Sequence, residues 1–481
     1  MLSLWMPLAE AAPVFSVKAF GAKGDGQTLD TQPIQAAIDA AAEAGGGQVL
    51  LPPGTYLSGS LRLKSFVDVH ISAGATLLGS TDLSQYGEGE GDKGSYVSRS
   101  LIYAERVKGI SLTGRGTIDG QGAAFWDEDY KPLERPRPWL NFVRCTNLRI
   151  AEVKLVNSPA HCIALTRCQR VYVEDIAIDN VMRSPNTDGI DLYSCSEVFI
   201  RGCHIRTGDD AICLKSKQGE VMENILVSDC ILESDDAAIK YGTGSRGINR
   251  YIRFENILIR NTRYGIALFM IDGGLHEHLQ FVDIQIETGS RHKTEYPIYL
   301  DIDRRDRSSQ LGRIEHITFR SIDIRTRGNI LIAGQPDAPI RDLRMEDIHL
   351  QVVDGVNLKK VTRKPRGNKK IQDVGSVDLA SERAHMTLGY IQGLQLQNVR
   401  LQGETKPDAR DRHGVLLVGV ADAEIRGLSA RQNHLAGEKA AIAVRDSRNV
   451  QVSASKAQAG THAFLNVLDA ESQGIHLLHN D

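Results

Sequence analysis

The chain has 481 residues, of which 41% are apolar and 24% charged, and its formal net charge is −3. That balance fits a folded chain, supplies no basic field for nucleic acid, and leaves no apolar run near the ~20 residues of a membrane-spanning helix. Glycine is abundant at 45 residues and aromatics are few at 6%, a mix that favours many short strands and tight turns.

Residues 1–13 are mildly apolar and end in Ala9-Glu10-Ala11-Ala12. Without a basic start they read either as the remnant of a cleaved signal peptide or as a loose start. The first reading makes the protein secreted or periplasmic. From residue 14 to residue 481 the pattern implies one domain without a linker. Asp30 to Ala41 carries capping residues, an early Pro33 and an Ala-rich apolar face, and Gly45-Gly46-Gly47 stops it. This predicts one amphipathic helix that caps the open end of a strand stack, where unpaired edges would otherwise be exposed.

The rest of the chain repeats. Ile163-Ala-Leu, Ile190-Asp-Leu, Ile212-Cys-Leu, Ile239-Lys-Tyr and Ile266-Ala-Leu recur at steps of 27, 22, 27 and 27, and Ile298 and Ile330 continue the series at steps of 32. A second series, Val171-Tyr-Val, Val198-Phe-Ile, Ile225-Leu-Val and Ile252-Arg-Phe, steps by 27. A third is Ile176-Ala-Ile, His204-Ile-Arg, Cys230-Ile-Leu and Ile257-Leu-Ile. Each unit holds about three short alternating strands, with no helical period. This predicts an all-β fold, a right-handed parallel β-helix whose coils stack at the ~4.8 Å strand spacing. Asn157, Asn180, Thr207, Ser234, Asn261 and Thr288 end the third strands and suit a side-chain ladder at a bend. Tyr86–Ser98 and Val356–Lys370 break the pattern and read as loops leaving the coil wall. Strand-like runs resume at Val415, Ala441 and Val450.

The seven cysteines have no CxxC spacing, and 145→168→195 and 203→230 follow the repeat. They read as buried free thiols stacked in successive coils rather than as a zinc or redox site.

Two acidic clusters stand out, Asn186-Thr187-Asp188-Gly189-Ile190-Asp191 and Gly208-Asp209-Asp210-Ala211-Ile212. Two positions before each register Ile lie His161, Asp188, Asp210, Ala237 and Tyr264. Three before lie Ala160, Thr187, Asp209, Asp236 and Arg263. In a stacked fold these become columns, with Asp188 and Asp210 as vertical neighbours. Carboxylates so placed repel, their pKa values rise, and they can divide into a proton donor and a proton acceptor. Asp also favours turns, and Asp235-Asp236 reads as a turn. One and three positions after the register Ile, outward side chains include Asp191, Lys240 and Tyr299, then Tyr193, Lys215, Phe269 and Asp301. His161, Asp191, Lys215, Lys240 and Tyr241 are the expected substrate-binding residues, the lysines suiting an anionic sugar.

With these motifs the chain resembles glycoside hydrolase family 28, the polygalacturonase family, over roughly residues 14–350. Val17-Lys-Ala-Phe-Gly-Ala-Lys-Gly-Asp-Gly, Asp30-Thr31 and the Ala-rich helix are similar to the entry of pectin-degrading β-helices. Asn186-Thr187-Asp188 and Gly208-Asp209-Asp210 match two of the family's four signatures. The resemblance implies that Asp209 is the general acid, that Asp188 and Asp210 hold and deprotonate water, and that the anomeric carbon inverts without cofactor or metal. Coil stacking puts the carboxylates ~5 Å apart, a separation that by itself points to retention. The family's Gly-His-Gly falls at Asp236-Ala237-Ala238 and its Arg-Ile-Lys at Ala267-Leu268-Phe269, so both are absent. The expected substrate is a pectic or related acidic carbohydrate, with a different sugar or linkage beside the scissile bond. Two rival readings stand beside it. A lyase or epimerase on the same scaffold would use Lys215 or Lys240 and an Asp-bound Ca²⁺. A non-catalytic carbohydrate-binding β-helix would have no use for the three Asp residues.

Overall fold

Alternating apolar residues can satisfy their backbone only by pairing with the next coil, and this rule organises the structure. A computed structural model describes residues 12–87, 98–292, 294–306, 308–353, 382–403, 411–433 and 437–480. Most of the proposed loop at Tyr86–Ser98, all of that at Val356–Lys370, and residues 1–11 lie outside them. The fold is the expected right-handed parallel β-helix with a helix near its N-terminus. Among the described residues no helix is long and apolar enough to cross a membrane.

Two compact units are distinguished, Met1–Ala160 with Cys168–Ala177, and His161–Arg167 with Ile178–Asp481. In the first, strands Gly47–Leu51, Val67–Ile71, Lys108–Thr113, Thr146–Ala151 and Gln169–Glu174 pair successively in parallel. Val49, Val69, Leu112, Ile150 and Val173 thereby form one buried aliphatic column. Helix α1, Thr31–Glu43, buries Ile34, Ala37, Ile38 and Ala41 against this unit. Asp30 stands before it but makes no cap to the helix; its carboxylate accepts from the backbone N–H of Lys23 (2.7 Å) and Gly24 (2.8 Å) and so closes the preceding loop.

In the second unit, strands β1 (Ile163–Thr166), β2 (Ile190–Tyr193), β3 (Ile212–Lys215), β4 (Ala237–Tyr241), β5 (Tyr264–Met270) and β6 (Tyr296–Ile302) pair in parallel. The register is Ile163↔Ile190↔Ile212↔Ile239↔Ile266↔Ile298, as the repeat predicts. The second and third strands of each later coil merge into one bent strand, as in Val221–Ser234, Ile248–Thr262 and Leu275–Thr288. The bend falls at Asp229, Asn256 and Asp283, each left-handed with φ of 52–57°, a conformation Asn and Asp tolerate. Asn256 Nδ2 donates to Asp229 Oδ1 at 2.6 Å across this corner. Inside, Phe254, Phe281 and Phe319 stack with centroids 5.7 and 5.0 Å apart.

Three register expectations need correction. Asn157, expected in the side-chain ladder, is left-handed (φ 50°) and exposed, and buried Ser158 follows it. His204 pairs with Ile231, not Cys230, so the third series is one residue out at that coil. The ladder residue of the Ile248–Thr262 strand is Thr262, not Asn261: Asn261 is left-handed (φ 52°), the register shifts there, and buried Thr262 pairs with Thr288. All seven cysteines are buried and free.

Candidate active site

The strand starts of β1 to β4 bring the acidic residues together. Backbone bonds Cys162 N–H to Asp188 O (2.7 Å) and Gly189 N–H to Asp210 O (2.8 Å) stack His161, Asp188 and Asp210 in one column. The turns permit this because they are tight. A Cβ on Gly208 would lie 2.2 Å from the Ser184 carbonyl oxygen, and one on Gly189 would lie 2.5 Å from that of Ala211. Buried Thr187 ties the two clusters by accepting the Gly208 N–H at 3.1 Å. The Asp209 carbonyl accepts from Thr207 and Ser234 hydroxyls, both at 2.6 Å, which fixes the backbone from which its side chain projects.

Asp188 and Asp210 are buried and Asp209 half-buried. Carboxylate oxygens of Asp209, Asp210 and Asp236 lie within 4.8 Å of one another, and an oxygen of Asp188 lies equally near one of Asp210. Asn186 Nδ2 donates to Asp209 Oδ2 at 3.2 Å. Lys240 Nζ contacts Asp210 at 2.9 Å and Asp236 at 3.1 Å, and Asp236 also receives Arg263 at 3.2 Å. On the other side His161 Nδ1 lies 3.3 Å from Asp191 Oδ2, and its Nε2 lies 3.8 Å from Asp188 Oδ1. Lys215 Nζ sits 3.3 Å from Asp191 Oδ1 and over the Tyr193 ring. The site is thus a row of alternating charges interrupted by the three neighbouring Asp residues.

Burial, with the charge of Asp191 added, pushes the Asp188 carboxyl up to about 7. Burial, with the charge of Asp188 added, brings Asp209 to about 7 as well. Asp210 is raised by burial, while Lys240 acts against that rise. Lys240 would be depressed by burial alone; Asp210 and Asp236 override this and hold it well above its ordinary value. A group near 7 can give or take a proton at neutral pH, which is what acid/base cleavage of a glycosidic bond requires. Three donor sets are close enough to hold a cation: His161/Asp188/Asp191, Asp188/Asp210/Cys213 and Asp209/Asp210/Asp236. Lysine ammoniums already answer their acids, Lys215 at Asp191 and Lys240 at Asp210 and Asp236.

Of the expected site residues, Asp188, Asp209, Asp210, His161, Asp191, Lys215 and Lys240 converge here. Tyr241 does not. It is fully buried on the inner face of β4, among Phe254, Phe281 and His276. It stands an even number of positions after Ala237 and so shares the inward parity of Ile239. Both lysine charges expected for an anionic sugar are matched by protein carboxylates. Asp236, read as a turn, lies in a bend and also belongs to the site; its column position, equivalent to Asp209, was the available signal. Arg263 follows in the same column. Where Gly-His-Gly and Arg-Ile-Lys were sought, Ala237, Ala267 and Phe269 join a buried cluster with Tyr264 and Tyr296, against which Tyr299 packs.

The family model of glycosyl hydrolases family 28 matches residues 43–370. A probable polygalacturonase of Vitis vinifera is 31% identical over 277 residues, 53% of this chain and 56% of that protein. Another from Arabidopsis thaliana is 29% identical over 294 residues, 55% of this chain and 62% of that protein. The chain therefore spans less than two thirds of the length of these relatives. A solved exopolygalacturonase from Thermotoga maritima superposes with a TM-score of 0.61 at 23% identity, covering 71% of this chain and 87% of that one, a likeness of fold.

Proposed function

The chain belongs to glycosyl hydrolases family 28, and on that premise we propose that it hydrolyses glycosidic bonds in a pectic polysaccharide or oligosaccharide. The observation that carries this reading is the meeting of Asp188, Asp209 and Asp210 with Lys240 bound to only one of them. Lys240 favours the ionised form of Asp210, and Asp188 shares its column. Asp209 touches no lysine among the described residues, and burial raises it to about 7; Asp188 is raised as far, so it is the family resemblance that casts Asp209 as the group that arrives protonated. Asp209 donates its proton to the leaving oxygen, while Asp188 and Asp210 together hold a water and take a proton from it. The course is inversion, on the family resemblance. The short carboxylate separations concern two acids that share one water and an acid on the adjacent turn position. No cofactor or metal ion enters the scheme. A polymeric substrate is met outside the cytoplasm, so the reading carries secretion with it.

The aromatic cluster at Tyr264, Phe269 and Tyr296 carries no charge of its own, and the cations over its rings, Lys240 and Arg263, are paired with Asp210 and Asp236, which leaves a bond-flanking sugar little cationic grip. This favours a linkage whose neighbouring sugar differs from galacturonate. The test is Asp209→Asn assayed by reducing-end release on defined pectic oligosaccharides. Turnover should fall at least about a hundredfold with the fold retained. Near-parental turnover in Asp209→Asn sinks the assignment. NMR of the first-formed anomer should show inversion.

A further inference from the structure

The hydrolysis scheme leaves three buried or half-buried ionisable groups unused: His161, Asp191 and Lys215. Placing such groups out of water is costly unless each is paired. Here each is paired in sequence, Lys215 to Asp191 and Asp191 to His161, and the sequence ends at Asp188. Asp191 is fully buried, and the two oxygens nearest the ring, Asp191 Oδ2 and Asp188 Oδ1, make no hydrogen bond among the described residues, so the imidazole meets them through charge alone. The imidazole is 8% exposed, and each of its nitrogens lies within 4 Å of a different carboxylate, Nδ1 3.3 Å from Asp191 and Nε2 3.8 Å from Asp188.

We propose that His161 is a positioning residue: Asp191, with its charge balanced by Lys215, holds the imidazolium, which in turn keeps Asp188 ionised and aimed at the water. Two carboxylates flanking one imidazole, with a lysine behind only the distal one, stabilise the doubly protonated ring. The charged groups around the ring are Asp188, Asp191 and Lys215; one step further is Asp209, whose carboxyl is drawn downward by His161. The arrangement explains why a histidine stands in the Asp188–Asp210 column and why an acid one position past the register Ile is fully buried. It rests on the roles given above to Asp188, Asp209 and Asp210.

The test compares the parent with His161→Gln, Asp191→Asn and the double variant on the same pectic oligosaccharide across pH. Gln keeps a donor but loses the charge. Without the imidazolium Asp188 protonates at higher pH, so the acidic limb of kcat/KM should move upward. Turnover should fall at least about tenfold with KM nearly unchanged. The double variant should be no worse than the poorer single one, since both act through one ring. A raised KM with kcat and the acidic limb unmoved would make His161 a sugar ligand and overturn the proposal. So would a lowered Tm with kinetics intact, or additive losses. Nitrogen-15 NMR of the parent needs no variant: the ring should be doubly protonated at the pH of maximal turnover, and a neutral ring there overturns the proposal. Asp209→Asn run alongside separates the two claims, because its activity reports on the hydrolysis reading alone.

Discussion

Replacing Lys240 by Met would leave Asp210 and Asp236 facing each other with no ammonium between them. Lys240 lies within 3.1 Å of both and is only 6% exposed, so water cannot take its place cheaply. Asp210 would then stay protonated to higher pH, and activity should be lost first on the acidic side. A pH profile of Lys240→Met should show its acidic limb displaced upward, with Lys240→Arg retaining part of the parental profile. An unmoved limb in the Met variant would show that Lys240 does not set the charge of Asp210. The outward position of Lys240 was legible from strand parity, but its use was not: a lysine beside a carboxylate cluster reads equally as a sugar ligand and as an internal counter-ion until distances are known. Tyr241 carries the opposite lesson. Parity already placed it inward, and the structure seats it among Phe254, Phe281 and His276 with its hydroxyl unbonded among described residues. Tyr241→Phe removes an uncompensated buried hydroxyl. Full activity and a stability unchanged or raised by up to about 2 kcal/mol are expected in thermal unfolding.

At the scale of elements, the first strand of each coil was legible because its inner residues are large and aliphatic at strict period two. The turns before it carry the chemistry, and their shape was not legible. The bends at Asp229 and Asn256 and the register shift at Asn261 come from left-handed residues, which leave apolar spacing almost untouched while moving the ladder residue by one. Hence Thr262, not Asn261, enters the column. Gly208 shows how such a turn serves the site. Its missing side chain lets the chain pass within contact of Ser184, so that Asp209 stands beside Asn186 and Asp210. Gly208→Ala forces the turn outward by the width of a methyl group. A destabilisation of ~1–3 kcal/mol is expected, with a loss of turnover larger than that destabilisation alone explains. Circular dichroism and turnover at a temperature well below Tm separate the two effects. Parental turnover would show that the turn tolerates the shift.

For the molecule as a whole, the acidic cluster is a liability that stacking must offset. In a repeat fold stability is close to a sum of nearest-neighbour terms, and coils such as those joined by Phe254, Phe281 and Phe319 supply it locally. Against this stand carboxyls held near 7 in the folded state. The sign follows from proton binding. Below the ordinary value of 3.8 the Asp209 carboxyl is protonated in folded and unfolded chains alike, so it contributes nothing to the difference. Between 3.8 and about 7 the folded chain keeps a proton that the unfolded chain has lost, so stability falls as pH rises through this window. Above about 7 the penalty is complete. Asp209→Asn removes the charge while keeping size and shape, so it should unfold at a higher temperature than the parent at about pH 8, with the gap shrinking toward about pH 4. Calorimetry at the two pH values checks this. A variant that is inactive yet more heat-resistant only on the alkaline side would identify Asp209 as a group kept for catalysis at the expense of stability. An equal gap at both pH values would mean that its carboxyl titrates as an ordinary surface acid.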